Sequence, residues 1–85
     1  MQVFFNERFK KHFQKLPAKI QKQFHGLLEL FLRNPMHPQL RSHPLRGNLL
    51  GRRAFSVSGD YRAIYRMEGT SAVYFIDIGR HGQVY

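Results

Sequence analysis

No cysteine occurs among the 85 residues of this chain, which excludes disulfides, thiolate zinc sites and thiol nucleophiles. The absence fits a reducing cytoplasm. Hydrophobic continuity is also scarce: the longest apolar run, Ala72 to Ile76, is far too short to cross a membrane. Met1-Gln2-Val3-Phe4-Phe5 lacks the basic-then-apolar order of a signal peptide. Internal repeats, low-complexity tracts and linkers are missing, and the length suits one domain, 1–85, built around a single core. The expectation is a soluble, cytoplasmic domain with no membrane contact.

Negative charge is the other shortage. Five Asp and Glu stand against fourteen Lys and Arg, for a formal charge of +9. No acidic residue lies between Glu29 and Asp60, a window that holds Arg33, Arg41, Arg46, Arg52 and Arg53. Arg8, Lys10, Lys11, Lys15, Lys19 and Lys22 form a second cluster with only Glu7 beside it. A solubilising surface interleaves both signs. A field of one sign attracts polyanions, so nucleic acid is the favoured partner, and an acidic protein covering the same face is compatible.

What is present reads as a compact α+β pattern. Residues 1–5 suggest a short strand, and Asn6 is a good N-cap for a helix carrying Phe9, Phe13 and Leu16 inward. Pro17 interrupts it and opens a second helix, where Ile20, Phe24, Leu27, Leu28, Phe31 and Leu32 recur at helical spacing as a core-facing stripe. His12 and His25 read as solvated helix residues. Asn34-Pro35 ends the helix, and Pro35, Pro38 and Pro44 hold 34–44 as a stiff loop bearing His37, Arg41 and His43.

Thereafter the period is two. A strand around Ala54 to Val57, a turn near Ser58-Gly59, a strand from Tyr61 to Arg66, a hairpin turn at 68–71 and a last strand from Ala72 to Ile78 complete the order β-α-α-β-β-β. Two helices then pack on one face of an antiparallel sheet and leave a concave basic face open. With Phe55 and Val57 turned to the helices, Arg52, Ala54 and Ser56 turn away, and the cost of burying unpaired arginines places Arg62 and Arg66 outside as well.

The last seven residues hang a cation, an imidazole and a phenol on the end of the final strand: Arg80, His81 and Tyr85. Phosphodiester cleavage needs a group to take the 2′-hydroxyl proton, a group to protonate the leaving 5′-oxygen, and cations for the charge that develops. A simpler reading leaves His81 and Tyr85 on a frayed end. Asp60 as a turn former and His43 as an ordinary loop residue are the corresponding plain readings of those positions.

Leu45-Arg46-Gly47-Asn48-Leu49-Leu50-Gly51, Ser58-Gly59-Asp60-Tyr61-Arg62-Ala63-Ile64-Tyr65-Arg66 and the ending Ile78-Gly79-Arg80-His81 with a terminal aromatic resemble the RelE/ParE superfamily of toxin–antitoxin toxins. The Ser42-His43-Pro44-Leu45 lead-in and the His-x-x-x-aromatic ending are most similar to its YafQ-like mRNA interferase branch. The resemblance implies a ribosome-dependent endoribonuclease that cuts mRNA in the A site, against 16S and 23S rRNA, without metal or cofactor. It implies catalytic roles for His43, Asp60 and His81, a phosphate contact for Arg62 and a substrate contact for Tyr85. Arg52, Arg53, Arg66, Arg80, Lys11, Lys15 and Lys19 are the candidate RNA-binding cations. The implied partner is a small acidic antitoxin, through which alone operator DNA would be reached. Ser56 departs from the YafQ-like pattern, which has a histidine there. A non-enzymatic ParE-like gyrase inhibitor and a catalytically degenerate antitoxin-binding member are the alternatives.

Overall fold

A computed structural model describes residues 1–85. Its first strand, β1 (Gln2–Phe5), ends at Asn6, whose side chain accepts the Phe9 N–H at 2.8 Å and starts α1 (Glu7–Gln14). Pro17 breaks the run and stands just outside α2 (Ala18–Arg33). After α2 the chain is less extended than its prolines suggest, because Pro38–Leu40 forms a 3₁₀ turn that buries Leu40 completely. Arg41 follows in the left-handed region at φ 53°, and β2 (His43–Pro44) pairs for only two residues, ending where proline offers no N–H. A second 3₁₀ turn (Gly47–Leu49) leads to β3 (Arg53–Ser58), β4 (Tyr61–Glu68) and β5 (Ala72–Arg80), and the chain ends in a short helix, α3 (His81–Val84).

The α+β fold with two N-terminal helices on one sheet face agrees with the sequence expectation, with one refinement of pairing. The sheet order is β1-β5-β4-β3-β2, and β1 runs parallel to β5 while every other pair is antiparallel. The two-helix crossover delivers the chain to the far edge, and the β3–β4–β5 meander then works back until β5 lies beside β1.

Phe9, Ile20, Phe24 and Phe31 of the helices pack on Phe55, Ala63, Tyr65, Val73, Phe75 and Ile78 of the sheet. The Phe24 ring meets Phe75 edge-on at 5.4 Å and stacks with Phe55 at 6.1 Å. Each such ring contributes about 1.5–3 kcal/mol by burial, so this layer supplies the rigidity on which the opposite face is built.

That opposite face is not bare. Ala54 and Ile64 are buried there with Leu45, and Leu49, Ile76 and Val84 pack against them from the second 3₁₀ turn, β5 and α3. A bulge explains part of this. Ile64 aligns with Asp77 but Tyr65 with Phe75, leaving Ile76 as the extra residue. The bulge keeps Phe75 and Ile78 in the helix-side core and spares it the Asp77 carboxylate.

Candidate active site

Gly79 sets the position of α3. A β-carbon on it would stand 3.2 Å from both Gln83 Oε1 and Val84 Cγ1, so glycine lets the helix fold back this closely over the strand end without displacing either side chain. Gln83 Oε1 accepts the Arg80 N–H at 3.1 Å, the His81 N–H donates to the Asp60 carbonyl at 2.9 Å, and Val84 sits on the small apolar cluster. His81 and Tyr85 are therefore held by a helical turn and do not form a frayed tail.

One turn apart, their rings meet edge-on with centroids 4.3 Å apart. The Tyr85 hydroxyl lies 3.2 Å from His43 Nε2, and His43 Nδ1 lies 3.1 Å from the Arg41 carbonyl. A carbonyl only accepts, so Nδ1 carries a proton, and in the neutral ring Nε2 is the acceptor of the Tyr85 O–H. Burial pushes the Tyr85 phenol above its ordinary value, against a smaller opposing pull from the Arg62 charge. It is a hydroxyl donor at neutral pH.

Arg62 stands between Ser56 and Gly79 in one row across the open face. Its Nη1 donates to the carbonyls of Gly59 and Tyr61 at 2.6 and 3.1 Å, which leaves the rest of the guanidinium for a ligand. Arg80 lies over the Tyr61 ring at 5.6 Å, and its Nε reaches the Tyr61 hydroxyl at 3.4 Å. That contact, reinforced by the Asp60 charge, raises its pKa further and keeps it cationic.

Of the sequence candidates, His43 and His81 thus each contact Tyr85, whose phenol feels the Arg62 charge. Asp60 holds α3 through its backbone, and its exposed carboxylate hydrogen-bonds to neither histidine. Arg52 and Tyr85 share a cleft of about 260 Å³, and Arg52 reaches a second one, of about 380 Å³, beside Arg66, whose guanidinium lies 4.5 Å over Tyr74. Arg53 departs from the expected interface: it pairs with Tyr65 on the helix side and its Nε donates to Ser42 Oγ at 3.0 Å. Lys15 lines a cleft with Arg80, whereas Lys11 and Lys19 are exposed on the helices away from the histidines' clefts.

The sequence reading missed a buried ion cluster. Asp77, 4 % exposed, accepts from His12 Nδ1 at 2.6 Å and from its neighbour's Ile78 N–H at 2.8 Å on one oxygen, and from Arg8 Nε at 3.1 Å on the other. His12 is accordingly no free surface histidine. The available signal was the acid itself, set inside the apolar run of the last strand.

The family model described as ParE toxin of type II toxin-antitoxin system, parDE, matches residues 3–85. No curated protein sequence matches the chain. Among solved structures, the fold is similar to a YoeB/ParE toxin from Agrobacterium tumefaciens, at 19% identity and TM-score 0.81, covering 95% of this chain and 99% of that one. It is equally similar to YafQ from E. coli strain BL21(DE3), at 22% identity and TM-score 0.81, covering 99% and 97%. YafQ in the E. coli DinJ-YafQ toxin-antitoxin complex matches at 22% identity and TM-score 0.78, covering 99% and 96%. With the family match spanning nearly every residue, the chain belongs to the ParE toxin family of type II toxin–antitoxin systems, inside the RelE/ParE superfamily that its motifs resemble.

Proposed function

We propose that this toxin is a metal-independent endoribonuclease that cuts mRNA in the ribosomal A site, in the cytoplasm. The observation that carries the reading is the meeting of His43, Tyr85 and His81 beside the Arg62 guanidinium. A ribose 2′-hydroxyl that displaces the Tyr85 O–H gives its proton to His43 Nε2, and the 2′-oxygen bonds to phosphorus. The bond from phosphorus to the 5′-oxygen breaks, and His81 protonates that oxygen. The products are a 2′,3′-cyclic phosphate and a free 5′-hydroxyl. Arg62 and Arg80 stabilise the charge on the phosphorus oxygens. Asp60 supports the turn under His81, and Ser56, too weak an acid for proton transfer, leaves the chemistry to the two histidines. Arg52, Arg66 and Lys15 guide the flanking RNA and rRNA electrostatically.

The partner fitting a +9 chain is a small acidic antitoxin laid over the basic face, and operator DNA is reached only through it. Complex formation by DinJ with YafQ, and by YefM with YoeB from Staphylococcus aureus, supports this reading by analogy of fold. The ParE family match favours a second reading, a toxin that inhibits gyrase by binding alone.

Induced expression decides between them. The parent arrests growth and leaves transcripts cut within translated codons, and His81→Ala, at an exposed position outside the core, loses about 10²–10⁴-fold in cleavage rate. Growth arrest with intact transcripts, or full toxicity of the folded variant, rejects the nuclease.

A further inference from the structure

α3 stands as a ridge with a cleft on either side. On one side, Arg8 and His12 of α1 and Lys15 just after it face Tyr61, Gly79 and Arg80 across a space of about 590 Å³. No acidic side chain lines it. Asp77, more than nine-tenths buried, lines the neighbouring cleft instead, and its two oxygens hold Arg8 and His12 from that side.

The donors at the front are unused. With Nδ1 bound to Asp77, the His12 ring turns Nε2 away from the carboxylate, and no protein group bonds it. The terminal nitrogens of Arg8 and the Lys15 ammonium also have no protein acceptor. A tie between α1 and β5 needs one cation for one carboxylate. Here one buried carboxylate holds two side chains in fixed orientation, with donors left over, at the edge of a cleft of positive charge. That is how a site for an anion is built.

We propose that this cleft is a second nucleic-acid site, which grips a phosphodiester of single-stranded RNA next to the one being cut. Arg8 and Lys15 are the donors, joined by His12 Nε2 in the imidazolium form, and Asp77 is the positioning residue. The inference rests on the RNA-cleavage reading. Continuity favours an RNA strand over an acidic peptide: Gly79, in the cleft wall, is the cross-strand partner of Arg62, so the cleft borders the strand next to the one that carries the phosphate contact. A single chain of nucleotides can cross the ridge and occupy both.

The test is fluorescence anisotropy of a 2′-deoxy-substituted, uncleavable single-stranded oligonucleotide across a salt series, with thermal midpoints checking the fold. His12→Gln keeps an N–H for Asp77 but removes the imidazole and its capacity for positive charge from the cleft, and Lys15→Gln removes one exposed charge. Each variant weakens binding roughly tenfold, and the pair lowers the salt slope by about 0.7, the loss of one single-strand phosphate contact. Lys22→Gln, which removes a charge outside the cleft, weakens binding far less.

Unchanged affinity and slope in Lys15→Gln, an equal loss in Lys22→Gln, or a parent that binds no oligonucleotide overturns the cleft. So does loss of capture of an acidic peptide with RNA binding intact. Cleavage on programmed ribosomes is scored separately. A chain that binds RNA through this cleft but cuts nothing refutes only the nuclease, and a cutting chain with unaltered cleft variants refutes only the cleft.

Discussion

Gly79→Ala isolates α3 from the rest of the fold. The new methyl meets Gln83 Oε1 and Val84 Cγ1 at 3.2 Å, a few tenths of an ångström inside ordinary contact. Both atoms end side chains, so the neighbours yield and the cost falls at the low end of overpacking, about 1 kcal/mol. For a domain of this size that is a fall in Tm of roughly 4–8 °C. The activity loss is larger than the stability loss. The displaced residues are Gln83, which holds the Arg80 N–H, and Val84, which seats α3 on the apolar cluster, and the same turn carries His81 and Tyr85. A reacting group misplaced by about 1 Å can cost about 10²-fold in rate. Thermal denaturation followed by circular dichroism and single-turnover cleavage on programmed ribosomes measure the two effects. Parental cleavage with the reduced Tm refutes the claim that Gly79 positions the chemistry, and a Tm loss several times larger refutes the claim that the contact is local.

Two further substitutions probe separate parts of the molecule. Arg62→Ala lowers the single-turnover rate about 10²–10³-fold, the usual effect of removing one preorganised donor from a developing anion. Lys22→Ala stays near the parent, and equal losses in the chemical step reject the phosphate-clamp role. Asp77→Ala leaves the Ile78 N–H unpaired and releases Arg8 and His12, which reach water and recover part of their loss. The net cost is about 2 kcal/mol, a drop of roughly 8–16 °C in Tm, and an unaltered Tm shows the cluster to be energetically idle.

Much of the architecture was legible because local rules governed it. Asn6 and Pro17 mark helix boundaries, the α2 stripe fixes its buried face, and Phe55 and Val57 turn inward as alternation requires. Superfamily membership was readable from the motifs, since the Gly59-Asp60-Tyr61-Arg62 stretch and the Gly79-Arg80-His81 ending carry it. Features that depend on distant residues were not readable. Alternation identifies strands but not neighbours, so the parallel pairing of Gln2 with Ala72 left no trace. The bulge at Ile76 reverses which side Asp77 takes, and a four-residue helix is too short to show a period. The partial cover over the open face arises from Leu45, Leu49 and Val84, each of which reads alone as an ordinary loop or terminal apolar residue. At the candidate site, residue types were visible, but the contact of His43 with Tyr85 comes from β2 and the chain's last turn approaching in space.

The parallel seam between β1 and β5 bears on how the chain acquires its structure. β1 is synthesised before every other element, yet the groups that pair with it belong to Ala72–Phe75 of the final strand. Closing so long a loop carries an entropic penalty before any contact rewards it, which slows folding relative to the short-range β3–β4–β5 hairpins. During translation Phe4 and Phe5 wait without a strand beside them until Ala72–Phe75 has been made.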